Sequence, residues 1–212
     1  MKKIMMMLAA AMLLTATTAN AQFRKKDNNR VPDRFHMGIR GGLTVSTLTG
    51  DTKDFYGGDV QSLAFPTGGF GLDFQVAPVP IFLGVGLYYQ NQGYSYEIKN
   101  RYTNYSKDID VHCIQLPFTA SYHINVAPNL FINPFLGPWF SYNCEDLDND
   151  NDWNDDRFDY GVRFGCGMNF GRLTLDLGYD IGLKNWYEGN KDYSIHTGIF
   201  FMTVGFNWAG SR

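Results

Sequence analysis

From residue 35 onward the chain is built on a two-residue alternation of character. In LTLDLGYDIGL (173–183), Leu173, Leu175, Leu177, Tyr179, Ile181 and Leu183 share one parity. Thr174, Asp176, Gly178, Asp180 and Gly182 share the other. The segment 158–170 repeats the division, with Phe158, Tyr160, Val162, Phe164, Cys166, Met168 and Phe170 against Asp159, Gly161, Arg163, Gly165, Gly167 and Asn169. So does 70–76, where Phe70, Leu72, Phe74 and Val76 oppose Gly71, Asp73 and Gln75. A period of two is the signature of a β-strand with unlike faces. The pattern predicts eight strands, near 36–47, 67–77, 81–94, 110–124, 130–142, 157–170, 173–184 and 196–208.

The connections between these strands fall into two kinds. Three are short: APVP (77–80), NVAPN (125–129) and Gly171-Arg172. The other four, 48–66, 95–109, 143–156 and 185–195, are long and polar. Short and long links alternate along the chain. Tight links join antiparallel neighbours, so the order is an up-and-down meander with turns at one end and loops at the other. That asymmetry belongs to outer-membrane barrels.

Which face meets water decides between a soluble sheet and a membrane barrel. A secreted sandwich or soluble barrel also alternates, but its polar face carries Lys, Glu and Thr toward bulk water. Here the lysines after residue 21 are Lys25, Lys26, Lys53, Lys99, Lys107, Lys184 and Lys191, all outside the predicted strands or at a strand end. The polar parity is instead rich in glycine, with Asp, Arg, Asn and Gln. Small residues are needed where many side chains converge on one narrow axis, which places the polar parity inside and the apolar parity against lipid. Each strand also supplies the roughly 9–11 residues that a tilted strand needs to cross the hydrocarbon layer. Tyr122, Phe170, Phe206 and Trp208 fall on the outer parity near the short turns, and Tyr89, Tyr142 and Tyr160 near the loops. These are candidate interfacial girdles. The expected fold is all-β, an eight-stranded antiparallel up-and-down transmembrane β-barrel.

Composition agrees with that reading. The 212 residues are 16% aromatic and 18% charged, with 23 glycines. The first 21 residues have a basic tip (Lys2, Lys3), an apolar run from Ile4 to Leu14 and small residues at Ala19 and Ala21. They read as a secretory signal peptide cut before Gln22. Residues 22–34 read as a polar, aperiodic periplasmic leader, and 35–212 as the barrel domain. Loss of Lys2 and Lys3 takes the formal net charge from −3 to −5, which argues against a nucleic-acid partner. Cys113, Cys144 and Cys166 are too few and too scattered for a disulfide framework or a zinc site. A Cys113–Cys144 pair stays open in an oxidising compartment.

The interior parity concentrates charge: Arg40, Asp73, Asp159, Arg163, Asp176 and Asp180, with Gln75, Gln115 and His123. Residues equidistant from the Gly171-Arg172 turn face one another, which sets Arg163 opposite Asp180. Opposite charges across a strand pair attract, and in a poorly hydrated lumen each needs a partner to offset its desolvation. Arg40 is expected beside Asp73 or Asp176. The network Arg40, Asp73, Arg163, Asp176 and Asp180 is read as structural, a plug rather than a polar conduit, because eight strands leave little room.

The third long loop, CEDLDNDNDWNDDRFD (144–159), sets Asp148, Asp150, Asp152, Asp156 and Asp159 in a calcium-loop spacing. Trp153 stands where that loop needs Gly, and Asp159 where it needs Glu. The loop therefore reads as a solvated acidic surface, and no metal or cofactor is expected. His112 and His196 lie on the outer parity near the loop end, with Ser106, Asp108, Asp110 and Ser194 nearby. A nucleophile–base pair acting on lipid is conceivable there, but the spacing does not enforce contact, and no catalytic residue is assigned. His36 and His123 read as structural.

Three stretches carry a family resemblance: HMGIRGGLTVSTL (36–48), FLGVGLYYQNQGYSY (82–96) and HCIQLPFTASYHI (112–124). They resemble the PorT-like outer-membrane β-barrel domain family of Bacteroidota, small barrels of the OmpA/OmpX kind. In that family a G-x-K/R-G-G-x-x-x-S start, a G-L-x-Y-x-x-x-G strand and an L-x-x-P-x-x-x-x-Y strand recur. The resemblance spans the chain after residue 35 and implies eight strands; some relatives serve protein secretion. One departure is the end, where AGSR trails Trp208 although such barrels usually finish on an aromatic. The expected function is that of a monomeric outer-membrane barrel, with a periplasmic N-terminus and long loops that contact an envelope or extracellular protein. Outer-membrane lipid or lipopolysaccharide surrounds it. The alternatives are a lipid-modifying enzyme of the lipid A deacylase kind and a narrow channel.

Overall fold

A computed structural model describes residues 35–50, 59–77, 79–100, 103–127, 130–144, 157–185 and 194–209. The strands are β1 (Phe35–Gly50), β2 (Asp59–Ala77), β3 (Val79–Asn91), β4 (Tyr94–Asn100), β5 (Thr103–Ile109) and β6 (His112–Tyr122). They continue with β7 (Ile124–Ala127), β8 (Leu130–Asn143), β9 (Phe158–Phe170), β10 (Leu173–Gly182) and β11 (Ile195–Ala209). Eight of them form a closed antiparallel ring in the order β1-β11-β10-β9-β8-β6-β3-β2, and β2 returns to β1 to seal it. Closure leaves no row of unpaired backbone groups, the condition for a sheet to stand in hydrocarbon. β7 continues the line of β6 past His123 and pairs with β8. Among the described residues no helix is long and apolar enough to cross a membrane.

The eight expected strands are the eight of the ring. The short-turn end holds the links after β2, β7 and β9. Gly171, in the β9–β10 turn, has a φ of 59°, a left-handed conformation that glycine adopts at little cost. Two expected loops differ. β1 runs to Gly50 and β2 starts at Asp59, so much of 48–66 is strand. The stretch 95–109 is largely a hairpin, β4–β5, attached to the outer end of β2 through the pairs Asp59↔Glu97 to Ser62↔Tyr94. Strands that leave the membrane keep their ladder but lose the greasy parity, so alternation does not announce them. The proposed signal peptide, the leader and residues 145–156 of the acidic loop, with its calcium pattern, lie outside the described residues.

The apolar parity faces outward. Ile39, Leu43, Phe70, Leu87, Phe118, Leu136, Leu177, Met202 and Val204 are all exposed. They form a continuous band far larger than the few hundred Å² a soluble monomer shows. The tyrosines and other aromatics named above as girdles, Tyr89, Tyr122, Tyr142, Tyr160, Phe170, Phe206 and Trp208, are exposed as well. A soluble β-sandwich would bury this parity as its dry core, and it does not.

Leu136 lies midway along β8 and is 58% exposed. Leu136→Arg is expected to cost about 2–4 kcal/mol of stability in phospholipid vesicles, and Tyr142→Arg near the loop end no more than ~1 kcal/mol. Denaturant titrations followed by tryptophan fluorescence measure both.

Candidate functional site

The inward parity fills the ring with two ion groups. In the first, Arg163 on β9 faces Asp180 on β10, as the turn between them dictates. Its Nε donates to Asp180 Oδ1 at 2.7 Å and its Nη2 to Asp180 Oδ2 at 2.7 Å. This two-point contact is the strong geometry for a guanidinium and a carboxylate. Gln115 on β6 completes the group: its Oε1 accepts from Arg163 Nη2 at 2.5 Å and its Nε2 donates to Asp180 Oδ2 at 2.9 Å. Asp180 is wholly buried and Arg163 nearly so, at 6% exposure. The guanidinium also lies against the Phe201 ring, 4.2 Å from its centroid, and 5.7 Å from that of Tyr88. Desolvated contacts of this kind are worth roughly 2 kcal/mol.

In the second group Arg40 on β1 bridges two carboxylates. Nε donates to Asp176 Oδ2 at 2.9 Å and Nη2 to Asp73 Oδ2 at 3.1 Å. Thr174 Oγ1 donates to the same Asp176 oxygen at 3.3 Å. Asp73 and Asp176 stand on β2 and β10, strands far apart in sequence that closure of the ring brings to either side of Arg40. Glycines make the room. A Cβ on Gly71 would overlap the Arg40 guanidinium, and one on Gly167 would press on Asp176 Oδ1. Arg40, Asp73, Tyr88, Thr119, Asn133 and Asp176 are among the groups lining a cavity of about 70 Å³.

Side chains pack toward both ends of the lumen in ways that the alternation alone did not disclose. At the short-turn end Phe82 and His123 stack with centroids 3.8 Å apart, and His36 lies 5.6 Å from Phe82. His36 lies near the start of β1. At the loop end Gln90, Asn91, Gln92, Tyr94 and Ser95 are buried. Asn91 Oδ1 accepts from the backbone N–H of Gly93 at 2.7 Å and of Val111 at 3.1 Å. Ser46 Oγ donates to the Gly93 carbonyl, and Gln92 Nε2 to Ser141 Oγ at 3.3 Å. Trp139, fully buried, occupies the inward parity at this level, with Gly161 giving space for its ring. The signal for these interior aromatics was their parity, masked by apolar neighbours on the other face.

The remaining candidates are dispersed. Cys113 is buried and inward, Cys144 is exposed, and both are free thiols, as is Cys166. Among the described residues no cluster of His, Cys, Asp or Glu is placed to hold a metal ion. His112 stacks on Tyr89 on the outer face, at 5.7 Å, and its Nδ1 has no hydrogen-bond partner. Asp110 is exposed. Ser106 and Asp108 lie on β5, outside the ring. His196 does meet Ser194, at 2.7 Å between Nε2 and Oγ.

A closed ring of eight strands with a greasy exterior and a charged interior is the geometry of an outer-membrane protein. The family model for the outer membrane protein beta-barrel domain matches residues 20–188. The chain belongs to that family. Its place in the outer-membrane β-barrel family locates it in the outer membrane. Among curated proteins none matches the sequence. Among solved structures the barrel is similar to OprG from Pseudomonas aeruginosa, with 13% identity, 84% of this chain and 98% of that one covered, and a TM-score of 0.48. It is also similar to neisserial surface protein A, at 14% identity, 84% and 100% coverage and a TM-score of 0.44. For E. coli outer membrane protein W the values are 17%, 84% and 100%, and 0.44.

Breaking the Arg163–Asp180 pair leaves one buried charge uncompensated. Arg163→Met and Asp180→Leu are each expected to cost about 3–5 kcal/mol, and the double variant markedly less than their sum. A double-mutant cycle in denaturant gives the coupling directly.

Proposed function

We propose that this protein is a monomeric, sealed barrel that acts as a structural and interaction component of the envelope, making contacts through the β-structure and loops at its long-loop end. The observation that carries the reading is the occupied lumen: the Arg163–Asp180–Gln115 group, flanked by Phe201 and Tyr88, spans it, with further buried side chains above and below. A lumen so filled leaves its outer surface and its projecting elements to do the work. The β4–β5 hairpin, paired to the extension of β2, is the projection that the ring itself does not need. Adhesion, partner binding and support of secretion or assembly are the roles such a projection serves.

The proposed orientation has the N-terminus and the short turns in the periplasm and the loops outside. An even number of strands puts both chain ends on one side, and short periplasmic turns with longer outer loops are the rule for such barrels. The signal-like first 21 residues support export. The G-x-R-G-G start at Gly38 and the G-L-x-Y strand at Gly86 support a PorT-like assignment among Bacteroidota barrels.

Replacing residues 94–109 by a short Gly-Ser turn tests the interaction role. The truncated barrel is expected to insert normally and to lose the proteins that co-purify with the full chain in mild detergent; an unchanged set of partners would count against the hairpin. The plug has its own test. Wild-type barrel in planar bilayers should show no sustained conductance. An Arg163→Ala/Asp180→Ala/Phe201→Ala variant should leak, with cations preferred, because Asp73, Asp159 and Asp176 then outnumber Arg40 in the lumen.

A further inference from the structure

Just before β11 begins, Ser194 meets a histidine on the outer face of that strand. In β11 the residues Ile195, Thr197, Ile199 and Phe201 are buried in the lumen, so His196 points outward. Its Nδ1 lies 3.1 Å from the backbone carbonyl oxygen of Lys184. A carbonyl can only accept, so Nδ1 carries the proton, and in the neutral ring Nε2 presents its lone pair. Facing that lone pair at 2.7 Å is Ser194 Oγ, whose O–H is therefore the donor. Nucleophile, base and an orienting acceptor stand in line. This is the minimum arrangement for activating a hydroxyl, with a main-chain oxygen where a carboxylate often stands.

The level of the pair in the membrane suggests what it meets. The β10–β11 register, ending at Ile181↔Gly198, carries on to set Leu183 beside His196, and the Leu183 N–H donates to Tyr160 O at 2.9 Å. His196 thus lies level with Tyr160, and the loop-end aromatic ring continues around the barrel through Phe158, Tyr142 and Tyr89, all exposed. Such rings sit at the headgroup boundary, the depth at which acyl ester bonds of membrane lipids lie. Lys184, whose Nζ donates to Phe158 O at 2.7 Å, brings a cation to the same boundary, where anionic headgroups gather.

We propose that Ser194 and His196 form an interfacial esterase site acting on acyl esters of the surrounding lipid leaflet. Ser194 Oγ bonds to the ester carbonyl carbon while its proton passes to His196 Nε2. The carbon–oxygen bond to the lipid alcohol then breaks, and the departing oxygen takes that proton. Water gives a proton to Nε2 and attacks the acyl carbon. Ser194 recovers that proton, and the acyl chain leaves as the carboxylic acid, which gives up the second water proton to solvent. Water is the only co-reactant.

The test uses the full chain folded in detergent micelles, with folding of every variant checked by the mobility difference between unboiled and boiled samples on gels. A fluorophosphonate probe should label Ser194, as read by peptide mass mapping. Ser194→Ala should abolish labelling. His196→Asn should slow it about 10²-fold or more, although the Asn amide can still donate to Lys184 O and preserve that structural bond. Mixed micelles of phosphatidylethanolamine in one arm and lipopolysaccharide in the other should show in which lipid the ester resides, through free fatty acid released above the Ser194→Ala level. Absence of label at Ser194, labelling that His196→Asn leaves unchanged, or no fatty acid in either arm would overturn the proposal.

Discussion

Every backbone N–H and C=O in this barrel must find its partner inside the sheet, because hydrocarbon offers none. An unsatisfied polar group there costs several kcal/mol, so the meander has to close, and β1 pairs with both β2 and β11. The rest of the molecule follows from that closure. A ring of eight strands has a fixed, narrow bore, and whatever occupies the inward parity must fit it. Glycine at positions such as 71 and 167 is the concession that lets an arginine and its carboxylates share the axis. Without closure those glycines would only weaken the strands.

The bore also decides how charge can be carried. An isolated ion in so dry a place would be prohibitive, and a pair is tolerable only with good geometry and additional hydrogen bonds. Arg163 meets both demands, through two-point contact with Asp180 and through Gln115, which touches both partners. Arg40 does so differently, reaching from β1 to Asp73 on adjacent β2 and, past β11, to Asp176 on β10. The two groups therefore tie together strands that are remote in sequence.

How much of this could be read from the residues depends on what generated the pattern. The ring strands were legible because lipid imposes a greasy parity on each, and the β9–β10 register because a two-residue turn leaves no freedom between Phe170 and Leu173. The β4–β5 hairpin was not. YSYEIKN and TNYSKDI lack the greasy parity of the ring strands, and Lys99 and Lys107 read as loop. Trp139, Phe82 and Phe201 were hidden for the opposite reason: their outward neighbours are also apolar, so contrast between faces vanishes. For Arg40 the chain order left two candidate partners, and only the closed ring shows that the geometry admits both.

The same parity rule separates two kinds of chemistry on one strand. In β11 the odd positions are committed to the lumen, where Thr197 Oγ1 donates to Asp159 at 3.4 Å and Phe201 packs on Arg163. The even positions are free to vary as long as they suit lipid, and near the end of the strand they need not even be apolar. His196 is such a position. Its ring meets Ser194, just before the strand, and the carbonyl of Lys184, just past the end of β10, so groups flanking the two strand ends set its orientation. A polar side chain can be fixed there without disturbing the packed interior one residue on either side. A barrel whose lumen is filled therefore still has an outer rim, rigidly held, on which reactive groups can be presented to the membrane surface.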